Sequence, residues 1–300
     1  MGETMDFEVL SGYFIRGDIS GAIEYMSRLD ELRETTDAYI NLYEKEQYLR
    51  YGVPDPLEDV LLEYQKYFRE VFYLKMSKDE ADARLVAHLA ERLGTVEDEG
   101  EIADRLKTLF AENGYRIQTG RTQGFYGPYV WRETVLTEYD VGLPCGVRKY
   151  KVNVLRGIVM CGYMNYLTFG QFGTRGWAGE DGIINCVESA NDFDSEQFTV
   201  SLLKHEAQHV EDMERWQDIT PTELEYRAKL VELMYAEKED LLGKFVSEAS
   251  ADDPENSHAM ASARIADEMR DLCGFPTSEI QKRAKELFFI STERLNDTVK

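Results

Sequence analysis

The chain has 300 residues, 43% of them hydrophobic, and its 34 Lys and Arg stand against 57 Asp and Glu for a formal net charge of −23. A chain this long can bury a sizeable core, and its 12% aromatic content excludes a solvated acidic tail protein. The charge repels phosphate backbones and anionic lipid, whose binding needs clustered Lys and Arg, so neither nucleic acid nor a membrane surface is an expected partner.

The first segment, MGETMDFEVLSGYFIRGD, carries acids where an export signal needs a basic start. Apolar runs such as Ile158 to Cys161 and Leu287 to Ile290 are far shorter than the ~20 residues that cross a bilayer, and a cytoplasmic location is expected. Cysteines at 145, 161, 186 and 273 form no Cys-x-x-Cys pair, so they read as buried thiols without chemistry.

In chain order, residues 1 to about 115 read as helices with polar turns. After Asp18, Ile23, Met26 and Leu29 recur at helical spacing; Pro54-Asp-Pro56 breaks the pattern and Leu57 to Tyr73 resumes it. Ser77-Lys-Asp-Glu80 has the form of a capping box, and a further helix over roughly 100 to 113 stops at Asn113-Gly114. From Tyr115 the composition shifts to Gly, Tyr, Val and Thr, with candidate strands over 129–138, 149–155, 158–163 and 182–187 joined by glycine-rich turns. After Val187 helices return: Asp194-Ser-Glu-Gln197 caps one running to about Trp216, and Thr220-Pro-Thr-Glu223 opens another to about Gly243. Two more are expected over 254–272 and 278–296. The expected class is α+β and mainly helical, with a helical domain at 1–115 and a second domain at 116–300 holding a small mixed sheet.

Two of the chain's four histidines stand in His205-Glu206-Ala207-Gln208-His209, an H-E-x-x-H motif. Residues four apart project from one helix face, so both imidazoles can serve one Zn²⁺ while Glu206 points at its water. On a wheel of ~100° per residue, Leu202, His209, Met213 and Trp216 share the His205 side, whereas Lys204, Gln208, Glu211 and Arg215 gather opposite. Two hydrogen-bonded core histidines, or an inert structural zinc, are the plain alternatives.

An open catalytic zinc needs a third protein ligand. The extended motif that would supply a third histidine is absent, since Asp212 and Arg215 occupy the places of its Gly and last His. The following helix offers Glu223, Glu225 and Glu232; Glu225 and Glu232 lie one heptad apart beside small Ala228, while Glu223 is placed to pair with Arg227. Glu225 is the preferred ligand, with Glu223 and Glu232 left open.

The motif followed by Glu225 on a second helix resembles the gluzincin branch of zinc metallopeptidases, and is similar to bacterial minigluzincins and repressor-cleaving peptidases. The resemblance covers about residues 125 to 245. It implies a zincin-like domain with a small sheet before the active helix, whose edge strand holds substrate backbone extended; Gly182 to Val187 would be that strand. The 15 residues between His209 and Glu225 are fewer than in many gluzincins.

The expected activity is zinc-dependent peptide hydrolysis, with Glu206 as general base toward water acidified by the metal. His258, on a slim helix carrying Ala259, Ala261 and Ala263, is the candidate oxyanion donor, with Tyr163 and Tyr166 as alternatives. Asp212 is placed to orient His209, and His88 reads as structural. A peptide or protein is the expected substrate, and the N-terminal helices are expected to bind a protein partner or gate the cleft. The alternative function is a zinc-containing regulatory or interaction module with little turnover.

Overall fold

The computed structural model describes residues 4–298 apart from 180, 239, 253 and 255. Helices α1 (Phe7–Ile15), α2 (Ile19–Met26), α3 (Arg33–Tyr39), α4 (Asp55–Phe68), α5 (Lys78–Leu93) and α6 (Glu99–Glu112) come first. Asp6, Asp18, Ser77 and Asp98 begin four of them by accepting first-turn amides that have no helical partner. Two single π-helical turns, Ile40–Glu44 and Arg69–Tyr73, extend α3 and α4. Short strands β1 (Arg116–Gln118), β2 (Arg121–Thr122), β3 (Phe125–Tyr126) and β4 (Tyr129–Trp131) follow, then long β5 (Glu133–Leu143) and β6 (Gly146–Arg156), β7 (Met160–Cys161) and α7 (Gly162–Leu167). The remainder is β8 (Gly176–Ala178), β9 (Ile184–Val187), α8 (Glu196–Thr199), α9 (Leu203–Arg215), α10 (Pro221–Tyr235), α11 (Leu241–Ser247), α12 (Ser257–Met269) and α13 (Thr277–Thr298). The protein is thus α+β and mainly helical, and among the described residues no helix is long and apolar enough to cross a membrane.

The chain divides into two compact units. The first runs to Glu133 and adds Gly157–Thr174; the second is Thr134–Arg156 and everything from Arg175 on. A boundary at residue 115 is therefore displaced. The antiparallel sheet β1-β4-β7 belongs with the helices, because Ile117 of β1, Val130 of β4 and Met160 of β7 are buried in the same aromatic core as Tyr67 and Phe68 of α4. The segment expected as a strand over 158–163 changes to helix at Gly162, whose φ of +72° suits glycine.

In the second unit a mixed sheet has the order β5-β6-β9-β8, with β6 and β9 parallel and β8 antiparallel to β9. Alternation along β6 turns Tyr150, Val152 and Val154 to one face, where they meet Leu203, Ala207 and Val210 of α9 and Tyr226 and Leu230 of α10 in one core. The expected edge strand, Gly182 to Val187, contains β9, which is interior; β8 is the edge beyond it, and β5 is the opposite edge. Only three residues long and opened by Gly176, β8 lay hidden in a glycine-rich stretch. A Cβ at Gly176 would come within 2.8 Å of a Leu202 methyl, so the glycine lets the strand lie close to the start of α9.

The helix expected from 194 to 216 is broken, α8 ending at Thr199 and α9 starting at Leu203, and Ser195 rather than Asp194 caps it by accepting from Phe198 N. Likewise α10 stops at Tyr235 and α11 is a separate helix. Of the four cysteines, Cys161 and Cys186 are buried, with thiols pushed up to about 11 and about 12 by burial, whereas Cys145 and Cys273 are exposed, contrary to the expectation of four buried thiols.

Candidate metal centre

Helix α10 starts cleanly because Thr220 accepts from Glu223 N and Pro221 occupies the first turn, where its missing N–H costs nothing. It packs along α9, and one buried ion pair sets their register: Arg227 donates from Nε to Asp212 at 2.8 Å and from Nη2 at 3.0 Å. The same guanidinium donates to Ser291 and Thr292 of α13. Burial raises the Asp212 carboxyl above its ordinary value despite the opposing pull of Arg227. Asp212 therefore ties α9 to α10 through Arg227, with Gln208 of its own helix as a further donor, correcting the expectation that it orients His209. Glu223 does not pair with Arg227 either; it takes hydrogen bonds from Arg264 and Ser291.

With that register, Glu225 projects between the histidines of α9. Its Oε2 lies 3.4 Å from His205 Nε2 and its Oε1 lies 3.4 Å from His209 Nε2. His205, His209 and Glu225 each bring one ligand atom within 4.8 Å of the others and could hold a metal ion. The spacing suits one: atoms ~2.0–2.2 Å from a tetrahedral zinc stand about 3.3–3.6 Å apart, longer than a good hydrogen bond. His209 faces Glu225 through Nε2, while its Nδ1 is buried without a hydrogen-bond partner among the described residues.

The carboxylates and imidazoles of the cluster shift one another's ionisation. Burial alone would raise the Glu225 carboxyl, but the imidazoles of His205, His209 and His258 around it take it well below the carboxylate range. Burial alone would lower His205, yet Glu225 and Glu232 hold it well above the ordinary imidazole value. Glu232 accepts from His205 Nδ1 at 2.7 Å, which leaves Nε2 turned to Glu225. Glu232, one of the open alternatives for the third ligand, stands behind His205.

Glu206 accepts the Ala178 amide on Oε2 at 2.8 Å, so the carboxylate sits against strand β8. His258 arrives from α12, whose start Asn256 caps by accepting from Ala259 N. Its Nδ1 lies 2.9 Å from Glu225 Oε2, its ring stacks at 6.4 Å on that of His205, and its side chain is 61% exposed. The tyrosine alternatives are core residues of the first unit, where Tyr163 donates to Gln123. His88 is paired with Glu63 in that unit, on a half-exposed ring.

Sequence reasoning missed Ala178, a backbone donor with no residue-type signal, and the Asp212–Arg227 pair, whose members stand on different helices. The chain matches no protein-family model, no curated protein and no solved structure.

Proposed function

We propose that the protein is a zinc-dependent peptidase of gluzincin type, its second unit a zincin-like domain. The observation that carries this reading is the convergence of His205, His209 and Glu225 at ligand spacing, with the motif's acid, Glu206, held against the edge strand β8 by the Ala178 amide. His205, His209 and Glu225 would hold the ion. When bound, zinc supplies a Lewis acid that lowers the pKa of water toward ~7 and polarises an amide carbonyl.

The other roles fall to the chain's own groups. Glu232, bonded to His205 Nδ1, fixes the tautomer that leaves Nε2 free to ligate. Glu206 has one oxygen held by Ala178 and the other available to take a proton as general base. His258, exposed beside Glu225, donates to the oxygen that develops negative charge. The free edge of β8 pairs with an extended peptide, so that recognition is largely of backbone. The N-terminal helices, which contribute none of these groups, are assigned to binding a protein partner.

Elemental mass spectrometry of protein purified without chelator tests the metal: about one zinc per chain is expected, lost in His209→Ala and Glu225→Ala. Hydrolysis of unfolded casein tests the reaction, with Glu206→Gln expected to keep zinc and lose turnover. Zinc-free wild-type protein that takes up none on addition would refute the metal site. Full turnover in Glu206→Gln would refute the mechanism, and zinc binding without turnover in the wild type would favour a regulatory module.

A further inference from the structure

Strand β8 ends its sheet, and its pairing with β9 decides which backbone groups face outward. Val187 N donates to Arg175 O at 2.8 Å and Gly179 N to Ile183 O at 2.8 Å, with Trp177 opposite Asn185 between them. In an antiparallel ladder residues alternate in direction, so Arg175, Trp177 and Gly179 turn to β9 whereas Gly176 and Ala178 turn to the open edge. An extended peptide laid on this edge would ordinarily take the Ala178 N–H with one of its carbonyls. That donor already serves Glu206 Oε2 at 2.8 Å.

We propose that the Ala178 backbone amide is a positioning group for Glu206 and is not a substrate contact, an inference that rests on the peptidase reading above. A carboxylate on a three-bond side chain has several rotamers, and a hydrogen bond to its charged form selects one. The bond spans two elements, edge strand and active helix, so it aims the acid relative to the same strand that holds the peptide. Substrate is left the outward groups of Gly176 and the Ala178 carbonyl, and it pairs with the edge one donor short. Gly176, whose lack of a Cβ brings β8 close to α9, is what makes this reach possible.

The cleanest test replaces Ala178 by lactate, which puts an ester oxygen where the N–H stood and leaves the side chain intact. With unfolded casein as substrate, kcat should fall by about tenfold to a hundredfold, the loss of one charge-assisted hydrogen bond, while KM stays within about twofold and zinc content is unchanged. A rise in KM with kcat unchanged would assign the amide to the substrate and overturn the proposal, as would no change in either. Amide hydrogen exchange on the zinc-loaded protein, without substrate, gives a second readout. The Ala178 amide should exchange about tenfold or more faster in Glu206→Ala than in wild type, while that of Gly179, bonded to Ile183, is unaffected. Equal Ala178 exchange in the two proteins would overturn it. Failure of the wild type to bind zinc or cleave casein would instead overturn the peptidase reading itself, a result distinct from each of these.

Discussion

Replacing Arg227 by Met removes the cation of a pair that is almost wholly buried, Arg227 and Asp212 each being 1% exposed. Asp212 would keep one strong donor, Gln208 Nε2 at 2.7 Å, and lose two charged ones. Ser291, Thr292 and the Phe288 carbonyl would lose theirs as well. Breaking a buried pair from one side costs about 3–5 kcal/mol, because the remaining charge has no compensation. Met occupies much of the aliphatic volume and rests on the same Trp216 and Phe288 rings, so the electrostatic loss dominates over a cavity. With a urea slope of ~2–3 kcal/mol/M, the midpoint of the second unit should fall by about 1–2 M. Trp216 fluorescence follows that transition, since Arg227 stacks on its ring. Combining Arg227→Met with Asp212→Leu should recover most of the loss, since apolar replacement of both partners is often neutral. A single-variant cost under about 1 kcal/mol, or a double variant no better than the single, would refute the view that this pair sets the register of α9 against α10. Because that register places Glu225 between the histidines, zinc affinity should fall in the single variant and return in the double.

Three further expectations follow from other contacts. Glu232→Gln should weaken zinc binding by about tenfold to a hundredfold in chelator competition, by loosening His205, and unchanged affinity would refute the orienting role. Gly176→Ala should destabilise the second unit by about 1–3 kcal/mol in chemical denaturation, because the new methyl meets Leu202 and the Asn185 carbonyl; a neutral variant would show that β8 can move away without cost. In the first unit burial tends to raise the Asp82 carboxyl, but hydrogen bonds from Arg121, Lys78 and Tyr67 hold it below its ordinary value of 3.8. Its folded pKa is thus depressed, so its stabilising contribution is complete above the unfolded value and is lost as pH falls through the folded one. Urea midpoints at pH 7, 5 and 3 should show that loss below about pH 4, and Asp82→Asn should flatten it; equal acid dependence in the variant would refute the assignment.

Much of the site was legible because its signals are local. H-E-x-x-H places two imidazoles on one helix face whatever surrounds it, and the heptad relation of Glu225 to Glu232 put both on the side of α10 that meets α9. Cap residues at Ser77, Thr220 and Asn113-Gly114 marked helix ends through hydrogen bonds made within one turn. Where bonds are made across the fold, local signals misled. The carboxylate of Asp212 lies one turn from His209 and could have served it, but Arg227 offers a charge and two donors in the buried interface, and the stronger partner takes it. A short edge strand with glycine in it carries almost no pattern, so the interior β9, rich in apolar residues, was the strand that stood out.

The sequence by itself determined the mainly helical α+β class, the histidine pair with its acid, and the elements that carry the candidate third ligands, because helical periodicity, capping and side-chain chemistry act over a few residues. Tertiary structure alone decided which glutamate faces both histidines, that Glu232 stands behind His205, that β8 is an edge, and that residues 116–133 and 157–174 belong to the aromatic first unit. Each of those outcomes depends on helix register, strand order or burial, which arise only when segments distant in the chain compete for the same partners and the same dry interior.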